Sequence, residues 1–268
     1  MSGDVPAHVP AYVHGHDASV LRAHGSRTVA NSAQYLVPHL AAGSRVLDVG
    51  CGPGSLTADL AVHCPQGAVT GIDASAAVIA VAAAAHGDVA EFLTGDIVAL
   101  DFPDDHFDVV HAHQVLQHLD RPVAALREMR RVTRPGGVVA VRDADYGGMT
   151  WAPDVDGIAE WMRVYREMTA ANGHEADAGR RLPGWVRAAG FETTIVTASV
   201  WCYADPEGRA WWSEIWADRI LRSDYRTHAR ARGVTDDELR AMADDFRRWA
   251  ADPAAVFVVP HVEVVGFA

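Results

Sequence analysis

Asp48, Gly50, Gly52 and Gly54 fall in one short stretch, Val46-Leu47-Asp48-Val49-Gly50-Cys51-Gly52-Pro53-Gly54-Ser55-Leu56-Thr57, and their spacing describes a ligand cradle. A short apolar run of β type ends in an acid, passes through three alternating glycines and meets residues that can start a helix. Glycines adopt backbone angles barred to other residues and put no side chain between main chain and ligand. The N-terminus of the following helix favours negative charge and hydrogen-bond acceptors. The pattern is G-x-G-x-G, not the G-x-G-x-x-G that seats a pyrophosphate. An acid directly before the glycines suits a positively charged group such as an amino-acid ammonium.

The rest of a nucleoside site follows in order. Ala68-Val69-Thr70-Gly71-Ile72-Asp73 reads as a second strand ending in an acid, about 20 residues beyond the glycines, where a carboxylate in a βαβ unit bonds a ribose diol. Phe92-Leu93-Thr94-Gly95-Asp96-Ile97 reads as a third strand ending in Gly-Asp, placed to meet an adenine amino group. Phe107 to Gln114 is a fourth strand, and Arg134-Pro135-Gly136-Gly137 turns into a fifth, Val138 to Val141. A lone glycine loop would be weak evidence; five elements in this order are strong.

This order resembles the class I S-adenosylmethionine-dependent methyltransferases, over roughly residues 9–202 and the C-terminal strand. Within them it looks most like the small-molecule branch related to ubiquinone- and menaquinone-biosynthesis C-methyltransferases. Tyr12-Val13-His14-Gly15-His16 with Ser19-Val20-Leu21-Arg22 is similar to an opening found in bacterial and fungal members. The resemblance implies S-adenosyl-L-methionine as cofactor and S-adenosyl-L-homocysteine as product. It implies that Asp48, Gly50, Cys51 and Gly52 cradle the methionine part, that Asp73 with Ala74 holds the ribose, and that Asp96 with Ile97 holds the adenine. His113 and Gln114 would face the methionine and sulfonium, with Tyr12 and His16 closing over the donor. His111-Ala112-His113 departs from the small or amide residues of many members and leaves the acceptor side unassigned.

The elements that must position these groups alternate β and α, which predicts a Rossmann-like, doubly wound α/β sheet. By the resemblance it has seven strands, mostly parallel, with an antiparallel last strand. Helical spacing runs from Ser19 to Leu40, from Leu56 to His63, from Ala76 to Ala85 with Ser75 as cap, and from Pro122 to Val132. Trp151–Asn172 and Gly179–Ala189 read as further helices, Thr194–Cys202 as a strand, Asp205 to about Ala250 as a helical block and Ala255–Phe267 as the final strand. The division expected is an N-terminal arm and helix covering the site (1–42), a core (43–204 and 255–268), and a helical insertion between the last two strands (205–254) serving as lid or homodimer element.

The chain has 268 residues with 35 acids against 23 Lys and Arg, a formal charge of −12. That balance lacks the basic footprint of phosphate neutralisation, so a small-molecule acceptor is expected and nucleic acid is not. No apolar run reaches the roughly 18 residues of a membrane span. No secretory signal precedes the first strand, and three cysteines form no disulfide framework; the expected location is cytoplasmic.

Methyl transfer from a sulfonium is an in-line displacement for which a protein supplies proximity, a water-poor site and, for some acceptors, a base. His118 lies just beyond the fourth strand, Asp145 and Tyr146 follow the fifth, and His261 shares a strand face with Glu263; these are the candidates for the acceptor side. Each has a plainer alternative: a fold-supporting histidine, a polar connection, an edge pair. Arg22 and Arg27 can bind a carboxylate or lie on a solvated face. Trp211, Trp212, Ile215, Trp216, Ile220 and Leu221 form an apolar stripe. It is either packing or the wall of a pocket for an apolar or aromatic acceptor. His111-x-His113 has no third ligand at a persuasive spacing, so no metal is expected. Two other readings share part of the pattern: a nicotinamide-dependent oxidoreductase, whose fingerprint lacks its third glycine here, and a non-catalytic S-adenosylmethionine-binding module.

Overall fold

Five parallel strands form the heart of the molecule: β1 (Arg45–Val49), β2 (Ala68–Asp73), β3 (Glu91–Thr94), β4 (Phe107–His113) and β5 (Thr133–Ala144). The computed structural model describes residues 25–268. Tyr12, His14, His16, Arg22 and the start of the helix expected from Ser19 lie outside the described residues. β1, β2, β4 and β5 are rich in buried Val, Leu, Ile and Ala, as strands covered on both faces must be. Helices α1 (Ser55–His63), α2 (Ala76–His86) and α3 (Pro122–Val132) make the crossovers. Ser75 caps α2 by accepting from Val78 N, and Pro122 opens α3 where its missing N–H costs nothing.

The strand order is β3-β2-β1-β4-β5, so the winding direction reverses between β1 and β4. Ligands of open α/β sheets bind at the carboxyl ends of strands beside such a reversal. β8 (Val256–Phe267) runs antiparallel to β5, and β7 (Thr194–Tyr203) pairs with the other edge of β8.

The sheet has eight strands rather than the seven expected. The extra one is β6 (Thr150–Ala152), and its cause is geometric. β8 outruns β5: His261–Phe267 pair with Ala144–Val138, while Val256–Val258 project past the end of β5. Thr150–Ala152 supplies the hydrogen bonds those residues would otherwise lack. The helix expected from Trp151 therefore starts later, as α4 (Asp156–Ala171). β5 is also longer than expected, because Gly136 and Gly137 bond main chain to Ala268 and Arg142–Ala144 pair with Glu263–His261. The helical spacing up to Leu40 is expressed, in its described part, as a wide turn (Val29–Ala33) and a tight 3-10 turn (Gln34–His39) containing Pro38.

Helix α5 (Ala178–Ala188) precedes β7, and α6 (Pro206–Arg222), α7 (Asp224–Arg230) and α8 (Asp236–Ala251) lie between β7 and β8. One face of the parallel sheet packs Leu47, Val49, Val110 and Val139 with Leu126, Met129 and Leu182; the other packs Val46, Val69 and Val109 with Leu36, Leu56 and Leu60. A third, aromatic cluster joins α4, α6 and α8 to β8 through Trp161, Trp216, Phe246, Trp249 and Phe257. No helix among the described residues is long and apolar enough to cross a membrane.

Candidate active site

The glycine loop links β1 to α1. Gly50, Gly52 and Gly54 all have positive φ, at 68°, 56° and 83°. A Cβ on Gly50 would come 2.4 Å from Val115 Cγ2, and one on Gly54 2.7 Å from Phe92 Cε1. The loop is thus fixed by backbone angle, by Val115 after β4 and by Phe92 on β3. Cys51 N donates to Ile72 O at 2.9 Å, tying the loop to β2. Burial, with Asp48 and Asp73 nearby, pushes the Cys51 thiol up, so it stays protonated.

Asp48 is turned inward. Its carboxylate accepts from Thr57 Oγ1 at 2.6 Å and meets His111 Nδ1 at 2.8 Å, and the residue is 2% exposed. Asp48 and His111 are register partners on adjacent strands. Asp48, the acid expected to meet an ammonium, clamps β1 to β4 and to α1, and His111, the departure noted in the sequence, is its counterpart there.

Asp73, at the end of β2, is half-buried. One oxygen accepts from Gly52 N at 3.2 Å and the other from Ser75 N at 3.0 Å. A carboxylate offers about four lone-pair directions, so both oxygens retain one for a diol. Ala74 beside it is exposed. Asp96 follows β3, exposed, with Oδ1 accepting from Val98 N at 3.0 Å, and Ile97 beside it is buried. Asp96, Asp73 and Gly50–Gly52 thus stand in sheet order along the carboxyl ends of β3, β2 and β1, with apolar Ile97 beside the outermost acid. A cationic amino-acid nucleoside fits this sequence of groups.

His113 and Gln114 complete the row at the end of β4. His113 is 4% exposed, with Nδ1 3.4 Å from Arg142 Nη1. Burial and the charges of Arg27 and Arg142 hold it well below the usual histidine range. Gln114 has φ 54°, a left-handed angle uncommon outside glycine. Its Oε1 accepts from Arg27 Nη2, and its Nε2 lies 2.8 Å from His261 Nε2. His261 Nδ1 donates to Val259 O at 3.1 Å, so Nε2 is the acceptor for Gln114. Arg142 is 1% exposed and paired with Glu263 at 3.2 Å, with Ser199 on the same guanidinium. Neither Arg142 nor Ser199 stood out in the sequence; the signal available was a charged residue inside the apolar run of β5.

A cavity of about 530 Å³ opens beside Gln114. Its walls include Tyr146, Trp201, Tyr203, Trp211, Trp212 and Trp216. The apolar stripe of α6 has both roles: Ile215, Trp216 and Ile220 are buried in the aromatic cluster, and Trp211, Trp212 and Trp216 also face the cavity. Trp201 and Tyr203, on β7, were missed as wall residues because alternation within a strand does not say which face meets a cavity.

Of the four acceptor-side candidates, Tyr146 lines the cavity. Burial raises its phenol despite a hydrogen bond with Tyr165 and the charges of Arg219 and Arg27. Asp145 is 5% exposed and held by Arg180, with Nη2 at 2.5 Å and Nε at 2.7 Å. His118 bonds Gln117 Nε2 at 2.9 Å, and burial together with His174, Arg27 and Arg219 brings it down to about 3. His261 is fully buried, and burial plus Arg142 holds it well below the usual histidine range.

A family model described as "Methyltransferase domain" matches residues 47–141, the span from β1 into β5. An uncharacterized methyltransferase of Schizosaccharomyces pombe is 34% identical over 269 residues, covering 95% of each chain. The probable methyltransferase ltbC of Aspergillus luteorubrus is 27% identical over 278 residues, covering 96% of each. Among solved structures, the YcgJ protein of Bacillus subtilis has the same fold, with TM-score 0.54 and 17% identity over 87% of this chain and 96% of that one. With a glycine loop after β1, acids at the ends of β2 and β3 in sheet order, and near full-length similarity to a methyltransferase, the chain belongs to the class I S-adenosylmethionine-dependent methyltransferases.

Proposed function

We propose that the protein methylates a small organic acceptor seated in the aromatic cavity beside Gln114. The observation that carries this reading is the shared wall. Gln114 ends the row of donor-side groups and also lines the cavity, so the two ligands would meet at one residue. The cavity volume falls in the range of small-molecule sites, and its aromatic walls suit an apolar or aromatic skeleton. The net charge of −12 weighs against a polyanionic partner.

Gly50, Cys51 and Gly52 with His113 and Gln114 would hold the methionine part, Asp73 and Ala74 the ribose, and Asp96 and Ile97 the adenine. The donor supplies an electrophilic methyl group on sulfur. What this chain adds is alignment and exclusion of water, which together can account for several kcal/mol of barrier. Asp145 is committed to Arg180, and His118 and His261 are weak bases in their buried settings. Tyr146 keeps its proton and orients the acceptor by hydrogen bonding. The acceptor is therefore one that is nucleophilic without a strong protein base.

Labelled methyl transfer from S-adenosylmethionine into a host-cell extract, separated into small-molecule, protein and nucleic-acid fractions, tests this. Label in the small-molecule fraction, absent with Asp73→Ala, is the expected result. Label in protein or nucleic acid overturns the acceptor class.

A further inference from the structure

Three arginines are buried in the described residues: Arg142, Arg209 and Arg219. Two are satisfied by the fold. Arg142 pairs with Glu263, and Arg209 donates to the carbonyls of Ala204, Ala250 and Pro253. Arg219 differs. Its side chain is 7% exposed, its Nε has no hydrogen-bond partner, and no carboxylate pairs with it among the described residues. It lies over the ring of Trp216, 5.1 Å from the centroid, one helical turn earlier on α6. Its neighbour Asp218 pairs instead with Arg222, at 3.3 Å. Its charge is also felt by His118, Tyr146 and Tyr203.

Arg219 lines the aromatic cavity, and Arg27 lines it too, on the Gln114 side. Two acids touch the same space, Asp205 and Glu207, but both are exposed at the start of α6, and Asp205 is engaged as the helix cap with Gly208 N at 2.8 Å. Among the described residues, Arg219 therefore brings a buried positive charge to the cavity with no carboxylate paired to it. Burying an unpaired guanidinium is costly, and the cost is offset when a carboxylate joins it. Its planar fork, already stacked on an indole, is preorganised for that geometry.

We infer that the acceptor is an organic acid, its apolar skeleton held by the tryptophans and its carboxylate bound by Arg219. The inference rests on the cavity being the acceptor site. The carboxylate is a handle, and the methylated atom lies elsewhere on the molecule, toward Gln114. A negative acceptor also complements the positive sulfonium.

The test uses the full chain saturated with S-adenosylhomocysteine and two probes of equal shape, naphthalene-2-carboxylate and naphthalene-2-carboxamide, read by quenching of tryptophan fluorescence. The acid is expected to bind about tenfold or more tighter than the amide. Arg219→Gln is expected to bring the acid to the level of the amide, with Arg219→Lys intermediate. Calorimetry with S-adenosylhomocysteine alone is expected to give the same affinity for wild type and both variants. Equal affinity for the two probes, or no binding of the acid, overturns the inference. A fall in S-adenosylhomocysteine affinity with both variants also overturns it, because Arg219 would then be holding the donor's own carboxylate. Failure of the wild type to bind S-adenosylhomocysteine would instead count against the donor site.

Discussion

Gln114 and His261, far apart in sequence, meet with Nε2 2.8 Å from Nε2 at the boundary between the row of strand-end groups and the aromatic cavity. With Arg27 on one side and Val259 O on the other, they form a directed chain: Arg27 donates to Gln114, Gln114 to His261, and His261 to the carbonyl. Each group has its role fixed by its neighbour, so the amide and the imidazole are held in single orientations. Gln114→Ala leaves a buried imidazole acceptor and the Arg27 guanidinium without this partner, at about 1–3 kcal/mol of stability. A matching fall in turnover is expected, read by thermal unfolding and by initial rates on one preparation. Loss of stability with full activity would separate Gln114 from the chemistry.

Asp73 accepts from Gly52 N and Ser75 N, and in the proposed function its remaining lone pairs would take the ribose diol. Asp73→Ala should weaken donor binding by about 1.5–3 kcal/mol, as for a lost hydrogen bond to a charged group. Calorimetry with S-adenosylhomocysteine measures it. Asp73→Asn retains an acceptor and should fall between the two; unchanged affinity in both variants would move the ribose site elsewhere.

His113, His118 and His261 make the fold sensitive to acid. His113 and His261 are held well below the usual histidine range, and His118 at about 3. Near neutrality these sites are uncharged in both folded and unfolded chains. As pH falls below about 6.5 the unfolded chain takes up protons there and the native chain does not. Stability should therefore decrease on acidification, by up to about 1.4 kcal/mol per pH unit per histidine. Urea unfolding between pH 7.5 and 5 measures the slope, and His118→Gln should flatten it. An unchanged slope in that variant would mean that His118 titrates normally in the native fold.

Asp145 and Tyr146 are neighbours with different environments. Asp145→Asn weakens the Arg180 pair and should lower the unfolding temperature while leaving kcat within severalfold. Tyr146→Phe removes a hydroxyl from the cavity wall and should alter kcat/KM for the acceptor with little change in donor affinity. A collapse of kcat in Asp145→Asn, with donor affinity intact, would restore it as a base.

Much of the parallel sheet and its glycine loop was legible because the signals are local. Glycines that require positive φ, acids at strand ends, Ser75 as a cap and Pro122 at a helix start each act within a few residues. β6 was not legible, since Thr150–Ala152 is a strand only because β8 outruns β5. The Asp48–His111 contact was not legible either, since nothing nearby in sequence announces that His111 reaches Asp48 across the sheet. Arg219 left a trace: it is a charge on the apolar stripe, three residues after Trp216. Its lack of a partner became visible only once the helices were packed.

The chain leaves the sheet at Tyr203 and re-enters at Val256, and Tyr203 faces Phe257 across the β7–β8 ladder. Residues 204–255 therefore begin and end at adjacent points, and their length or sequence can change without disturbing strand register. A change there alters the cavity walls that Trp211, Trp212 and Trp216 supply and leaves the glycine loop and the strand-end acids in place. The constraint on such exchange is the aromatic cluster around Trp161 and Phe257, which any replacement segment would have to repack.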